Sequence, residues 1–539
     1  MLKRFGIIAC FILFAAPPIP AGAQNPLTTA KLDTGVVQGS MDHGVAAFKG
    51  IPYAAPPVGD LRWRPPQPAA HWNDVRQATQ YGSDCMQLPF PSDAAPLGTP
   101  PSEDCLYLNV WTPAHHTSEK LPVIVWIYGG GFVNGGSSPA VYAGTHFAQG
   151  GVVFVSFNYR VGRFGFFAFP ALTQEEAGKP LGNYAYMDQI AALQWVQRNI
   201  AAFGGNPRDV TVFGESAGGG SVMMLLTSPV TGGLFEKAVV ESGGGRDALL
   251  GVRYLNTTSP AGLPSEEQLG VNFARANGID GTDAAALAAL RALPAEKVVN
   301  SLNMASMGKQ ADTYGGPIED GTIVTMTPEQ ALLSGHYWKV PFMIGTNNAD
   351  IGFPRWKTVP EIWAAFGADA QQAQAAFDPT NAGNPMLVGW KVAEEMMMTE
   401  PARFVVSTLA NDGVPSYEYR FSYVAESIRS KVPGAFHATE IPFVFDTVSD
   451  KYGAALTPAD EAIAKQMNDY WINFAKTGDP NGSGLPQWPR YSATNDELID
   501  FTNNGPVGEA DPWKKQLDLV ESLATPVHSG SDAAPPTGH

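Results

Sequence analysis

Cysteine is scarce in this chain, with 3 in 539 residues. That excludes a disulfide scaffold and leaves too few thiols for a cysteine-built metal cluster. Histidine is also sparse, at 9. The one adjacent pair, His115-His116, has no cysteine or further histidine at ligand spacing, so no metal or other cofactor is expected. Basic residues are few, 34 Lys and Arg against 51 Asp and Glu, and the formal net charge of −17 repels a phosphate backbone. No nucleic-acid partner is expected. Beyond the first two dozen residues, no run of ~20 apolar residues escapes charges or Gly/Pro breaks, so no stable membrane anchor is expected. The hydrophobic fraction of 44% is that of a globular protein and excludes disorder as the main state.

The N-terminus stands apart. Lys3 and Arg4 precede an apolar run from Phe5 to Ala16, and Ala21-Gly22-Ala23 supplies small residues at a cleavage site. This pattern predicts a signal peptide over residues 1–23, cleaved after Ala23, and a periplasmic or secreted mature protein. Cys10 sits inside the apolar run instead of after it, which argues against lipid attachment. Export to an oxidising compartment favours a disulfide between Cys85 and Cys105, the alternative being two unpaired buried thiols. Such a bond stabilises by roughly 3 kcal/mol in the chain-entropy treatment.

Strand-like runs lie at 123–128, 151–159, 210–213 and 237–242, with 340–345 and 416–423 as later candidates, and helical patterns lie between them. This alternation predicts an α/β fold with a largely parallel sheet. Residues 187–203 carry Ile190, Leu193, Val196 and Ile200 at helical spacing and stop at Gly204-Gly205. A second helix is expected from Pro458 to Lys476, capped by Thr457. Residues 51–101 are Pro-rich and expected to be irregular. Neither repeats nor sharp composition breaks appear. Residues 24–525 are therefore expected to form a single domain, followed by a polar tail at 526–539.

Gly214-Glu215-Ser216-Ala217-Gly218 follows one of these strands and precedes a helix-compatible run. That is the context a G-x-S-x-G nucleophile elbow needs: a turn so tight that side chains flanking the serine would clash. The helix behind it would aim its N-terminal amides at whatever binds there. A serine still needs a base and an oxyanion hole. Gly129-Gly130-Gly131 ends an earlier strand, where bare backbone can turn N–H groups toward a substrate. Alone it reads as a plain Gly-rich turn; paired with the elbow it supplies the second half of the hole.

Several further segments occur in the same order as in one known family. They are 48–54 (FKGIPYA), Leu61-Arg62-Trp63, 102–110 (SEDCLYLNV), 158–162 (NYRVG), Gly182-Asn183, Asp188-Gln189 and 203–207 (FGGNP). With the elbow, they make the chain resemble the type-B carboxylesterase/lipase family of the α/β-hydrolase fold, over roughly residues 35–480. The resemblance implies a large, mostly parallel central sheet with helices on both faces and long loops at the site entrance. It implies Ser216 as nucleophile, His437 as base within 434–445, and an acid in the segment ending at Asp350, where the family more often has Glu. Glu361 is the weaker substitute. It further implies N–H groups of Gly130, Gly131 and Ala217 as the oxyanion hole, and Glu215, Ser242 and Glu440 as supporting polar residues, with a purely structural role for those three left open.

The implied reaction is hydrolysis of a small-molecule carboxylic ester through an acyl-enzyme, with no cofactor. Residues 86–104 contain Phe90 and no Trp, which disfavours choline esters held by cation–π attraction. Arg246 and Arg355 could meet an acyl carboxylate, or be surface or ion-paired residues. Met396-Met397-Met398 reads as core. Two rivals remain: an acyltransferase or lactonase on the same triad, and a non-catalytic relative. The presence of Ser216, His437 and an acid argues against the second.

Overall fold

The computed structural model describes residues 26–91, 93, 95–247 and 251–524. The expected leader at 1–23 and tail at 526–539 lie outside the described residues.

Among the described residues the main sheet has 11 strands. They are β1 (Ser40–Asp42), β2 (Val45–Pro52), β3 (Tyr107–Thr112), β4 (Leu121–Ile127), β5 (Val153–Phe157), β6 (Gly205–Glu215), β7 (Lys237–Glu241), β8 (Phe342–Asn347), β9 (Ser416–Phe421), β10 (Glu497–Thr502) and β11 (Gly505–Ala510). Across the sheet the order is β11-β10-β9-β8-β7-β6-β4-β5-β3-β2-β1. Every neighbour pair from β10 to β5 is parallel, and the pairs outside that block are antiparallel. This is the large, mostly parallel sheet of an α/β-hydrolase. A smaller sheet joins Thr29–Lys31, Val36–Gln38 and Arg76–Gln77.

The parallel strands are apolar because both of their faces are covered. Every residue of β5, β7, β8 and β9 is buried, which is what helical layers on a parallel sheet produce. The helices that matter for the site are α1 (Tyr184–Asn199), α2 (Ala217–Thr227), α3 (Glu400–Asn411) and α4 (Pro458–Thr477). α4 begins as its sequence demands. Thr457 and Asp460 form a reciprocal capping box, Pro458 occupies the first turn, and Gly478 ends it at φ +75°. The pattern at 187–203 resolves into α1 and a short 3₁₀ turn, Ile200–Phe203, closed by left-handed Gly204.

Two strands start later than the apolar runs suggest, for local reasons. β5 begins at Val153 because Gly151 adopts φ +88° behind the helix Thr145–Gln149. β8 begins at Phe342 because Pro341 has no N–H for a ladder. The Pro-rich stretch is irregular apart from the end of β2, a 3₁₀ turn at Gly59–Leu61 and the two-residue strand Arg76–Gln77. Cys85 and Cys105 are joined by a disulfide, with both side chains buried. Deeper in, Arg160 donates through Nε and Nη2 to both carboxylate oxygens of Asp188, each at 2.8 Å, and ties the end of β5 to α1. Both residues are buried, so the pair holds only because each charge satisfies the other.

Glu395 opens a π-helical turn, Glu395–Thr399, ahead of α3. It is fully buried, its oxygens accept no hydrogen bond, and its nearest cation is Lys391 Nζ at 3.8 Å. Burial pushes its carboxyl from 4.5 up to about 8. Between those values the unfolded chain has released the proton that the folded chain keeps, so this group's stability is full below pH 4.5 and falls as pH rises toward 8. Glu395→Gln should therefore flatten the decline in urea midpoint between pH 5 and pH 8. An unchanged slope would show that the carboxyl ionises freely in the folded protein.

Candidate active site

The elbow is built by close approach. β6 ends at Glu215, and Ser216 takes φ 56°, ψ −122° before α2 starts at Ala217. Few side chains tolerate that region, and the strain persists because neighbours fix the turn. Ser216 N–H donates to the carbonyl of Glu241 on β7 at 2.9 Å, and Gly220 N–H donates to the Ser216 carbonyl at 2.8 Å. A Cβ on Gly218 would lie 2.0 Å from the Ile127 carbonyl oxygen, and one on Gly214 would lie 2.6 Å from Gly218. Glycine is required at both.

The turn after β4 comes equally close. A Cβ on Gly129 would sit 2.9 Å from Ser216 Cβ, so the Gly129–Gly131 turn stands directly against the elbow. Gly130 and Gly131 adopt φ +105° and +62°. Ala217 lies at the first position of α2, where N–H groups lack intrahelical acceptors.

His437 and Asp350 come from two loops stitched together. Ala349 N–H donates to the Ala435 carbonyl at 3.0 Å, and Ala435 N–H donates to Asn348 Oδ1 at 2.8 Å. Asn347 Nδ2 donates to the Phe436 carbonyl at 2.7 Å and also to Glu440. In that frame His437 Nδ1 lies 2.6 Å from Asp350 Oδ1. The other oxygen of Asp350 accepts from Ser242 Oγ at 2.6 Å and Asn347 N–H at 3.0 Å. Burial alone would raise the Asp350 carboxyl, but His437 and these donors outweigh it and hold it below 3.8. The carboxylate is thus kept charged although it is fully buried.

On the far side of the ring, His437 Nε2 lies 3.2 Å from Glu215 Oε1. Burial opposes charge on His437, yet the carboxylates of Glu215 and Asp350 prevail and lift it from 6.5 to about 10. Burial lifts Glu215 to about 8 and Glu440 to about 7. Carboxyls this close in a buried site cannot all ionise. Glu440 is fully buried, with one oxygen bonded to Asn347 and the other without a hydrogen-bond partner.

Of the remaining sequence candidates, Arg246 lines the cavity beside the glycine turn and the others lie apart from it. Glu361 is exposed and closes a capping box with Thr358 at the start of the helix Val359–Ala365. Arg246 is held by Glu400 and Glu329, with Nη1 2.8 Å from Glu329 Oε1, so its charge is already matched. Arg355 is exposed and lies over the Trp356 ring. Met398 is buried, whereas Met397 accepts the Phe353 N–H through its sulfur at 3.4 Å. Sequence reasoning passed over Asn347, Asn348 and Trp390, whose Nε1 donates to the Asp350 carbonyl at 2.9 Å. The run of two asparagines just before the acid was the visible signal.

A mainly apolar cavity is lined by Phe132, which follows the glycine turn, Gly220 in the first turn of α2, and Gly243, which follows Ser242; Met223, Met224 and Met326 belong to its apolar wall, and Arg246 and Asp247 add charge to it. Among the described residues no group of histidines, cysteines and acids could hold a metal ion.

The model of the carboxylesterase family matches residues 26–382 and 389–518. A fumonisin B1 esterase of Sphingopyxis macrogoltabida is 34% identical over 525 residues, covering 93% of this chain and 92% of that protein. The cocaine esterase of Homo sapiens is 33% identical and covers 97% of each. A para-nitrobenzyl esterase of Bacillus subtilis is 35% identical, covering 86% of this chain and 93% of that one. With a family match running nearly end to end and relatives aligned over most of both lengths, the chain belongs to the carboxylesterase family and is a carboxylic ester hydrolase.

Proposed function

We propose that this chain is an exported serine carboxylesterase acting through an acyl-enzyme on Ser216. The observation that carries the proposal is the 2.6 Å contact between His437 Nδ1 and buried, charged Asp350, with His437 Nε2 3.2 Å from Glu215, the residue before a serine held at positive φ at the head of a helix. His437 takes the Ser216 proton through Nε2 as Oγ attacks the ester carbonyl carbon. Asp350 fixes the ring tautomer and stabilises the imidazolium. The carbonyl π electrons move to oxygen, where the N–H groups of Gly130, Gly131 and Ala217 receive the charge. Collapse breaks the ester C–O bond as the imidazolium protonates the leaving alcohol. Water repeats the cycle on the acyl-enzyme, frees the acid and restores Ser216.

Ser242 acts through Asp350, whose second oxygen it donates to, and Glu440 acts through Asn347. Glu215 sets the charge facing Nε2. The substrate is a small carboxylic ester with an apolar portion suited to the cavity behind Phe132. The leader at 1–23, removed after Ala23, carries the chain out of the cytoplasm as a single domain over 24–525, and the buried Cys85–Cys105 disulfide supports that destination.

An organophosphonate probe should label Ser216, located by peptide mass spectrometry, and Ser216→Ala should lose on the order of 10³-fold or more in kcat. Label elsewhere, or turnover intact in that variant, would refute the assignment. Asp350→Asn should lower kcat by roughly 10³–10⁴-fold by favouring the wrong tautomer. Glu361→Gln should leave kcat near wild type, because that residue only caps a helix. Glu215→Gln removes the negative charge beside Nε2, so the imidazolium is less favoured and the His437 pKa falls. The acid limb of the kcat/KM profile should then move to lower pH; a limb that stays or moves upward contradicts this account.

A further inference from the structure

The strained turn after β4 needs something to hold it. Gly130, Gly131 and Phe132 take φ values of +105°, +62° and +61° in succession, and the last is a bulky residue where glycine is preferred. The turn closes on itself through Val133 N–H and Asn134 N–H, which donate to the Gly130 carbonyl at 3.1 and 2.9 Å. Asn134 is fully buried, and all of its side-chain bonds run outward to other segments. Its Nδ2 donates to Gln87 Oε1 at 3.1 Å and to the Leu88 carbonyl at 2.8 Å. Its Oδ1 accepts the Met304 N–H at 3.0 Å.

Gln87, also buried, continues the connection. Its Oε1 accepts the Gly135 N–H at 2.9 Å, and its Nε2 donates to the carbonyls of Gly135 at 2.6 Å and Cys85 at 2.9 Å. The loop closed by the disulfide is therefore bonded to the glycine turn through two side-chain amides. The segment hung from Asn134 Oδ1 reaches the same place from the other side. A Cβ on Gly131 would lie 3.4 Å from Met307 Sδ and 3.5 Å from Met304 Cγ, so these side chains cover the turn.

We infer that Asn134, supported by Gln87, is the positioning residue of the oxyanion turn: one buried amide fixes the donors of Gly130 and Gly131 and the Met304–Met307 wall over them in a single arrangement. The inference rests on the assignment of those glycines to the oxyanion hole. An apolar side chain at 134 would strand the Met304 N–H and the Leu88 carbonyl, leaving three left-handed residues to the backbone closure, the Gly162 N–H on the Phe132 carbonyl and the Gln87 bonds to Gly135. The N–H groups would then lose their aim at the developing oxyanion while the cavity that binds the substrate stays in place.

The test compares Asn134→Ala and Gln87→Leu with wild type by kcat, KM and the inhibition constant of a trifluoromethyl ketone. The enzyme converts that ketone into a tetrahedral oxyanion adduct. Asn134→Ala should lower kcat by about tenfold or more and weaken the ketone in parallel, with KM changed less than about threefold. Gln87→Leu should do the same to a smaller degree, and it decides the matter should Asn134→Ala fail to fold. A folded variant whose kcat stays within about twofold of wild type overturns the inference, as does a fall in kcat with ketone affinity unchanged. Were Ser216→Ala itself to stay active, the site assignment would fail; were it inactive while Asn134→Ala is not, only the role of Asn134 would.

Discussion

Close backbone contact between the ends of β4 and β6 is the constraint on which the site depends. Gly218 sits so near the Ile127 carbonyl that a single added carbon would be 2.0 Å from it, and one on Gly129 would be 2.9 Å from Ser216 Cβ. Because these two strands are neighbours in a parallel sheet, their carboxyl ends open at the same edge. The serine and the glycine turn face each other for that reason. A bulkier residue at either position would push Ser216 and the glycine turn apart.

A second feature follows from burial. The site gathers Asp350, Glu215 and Glu440, all buried, around one imidazole. Asp350 alone is held below its ordinary range, because His437 and the donors that meet its oxygens outweigh burial; Glu215 and Glu440 are pushed upward. Carboxyls in one pocket thereby divide into a permanent charge and adjustable ones, and it is the permanent one that meets Nδ1 of His437.

Much of this was legible in the sequence because it depends on local chemistry. Apolar runs rich in Val, Ile and Phe mark β4 to β8, since strands buried on both faces cannot alternate. The elbow is legible because steric closeness dictates glycine at fixed spacing, and α4 because Thr457, Pro458 and Gly478 serve as start and stop. The antiparallel edges were not legible. β11, with the sequence GPVGEA, is exposed along most of its length, and only its pairing with β10 makes it a strand. Asn134 and Gln87 were equally silent: an amide in a Gly-rich loop reads as a turn residue until the loops it joins, distant in sequence, are seen together. Asp350 was placed by position alone; its stitched loops supply the physical reason.

The strand order also carries an entropic consequence. β7 and β8 are side by side, yet the chain between them runs through residues 242–341, and residues 243–338 include walls of the cavity and Met304 and Met307 over the glycine turn. For a flexible segment, closing a loop costs only roughly 0.6 kcal/mol more for each doubling of length. That excursion can lengthen, shorten or change composition while the strands flanking it keep their register. Ser216, Asp350 and His437 all lie outside it. Ser242, which meets Asp350, and Met304, whose N–H meets Asn134, belong to that excursion as well, so it is free to vary only between those anchors.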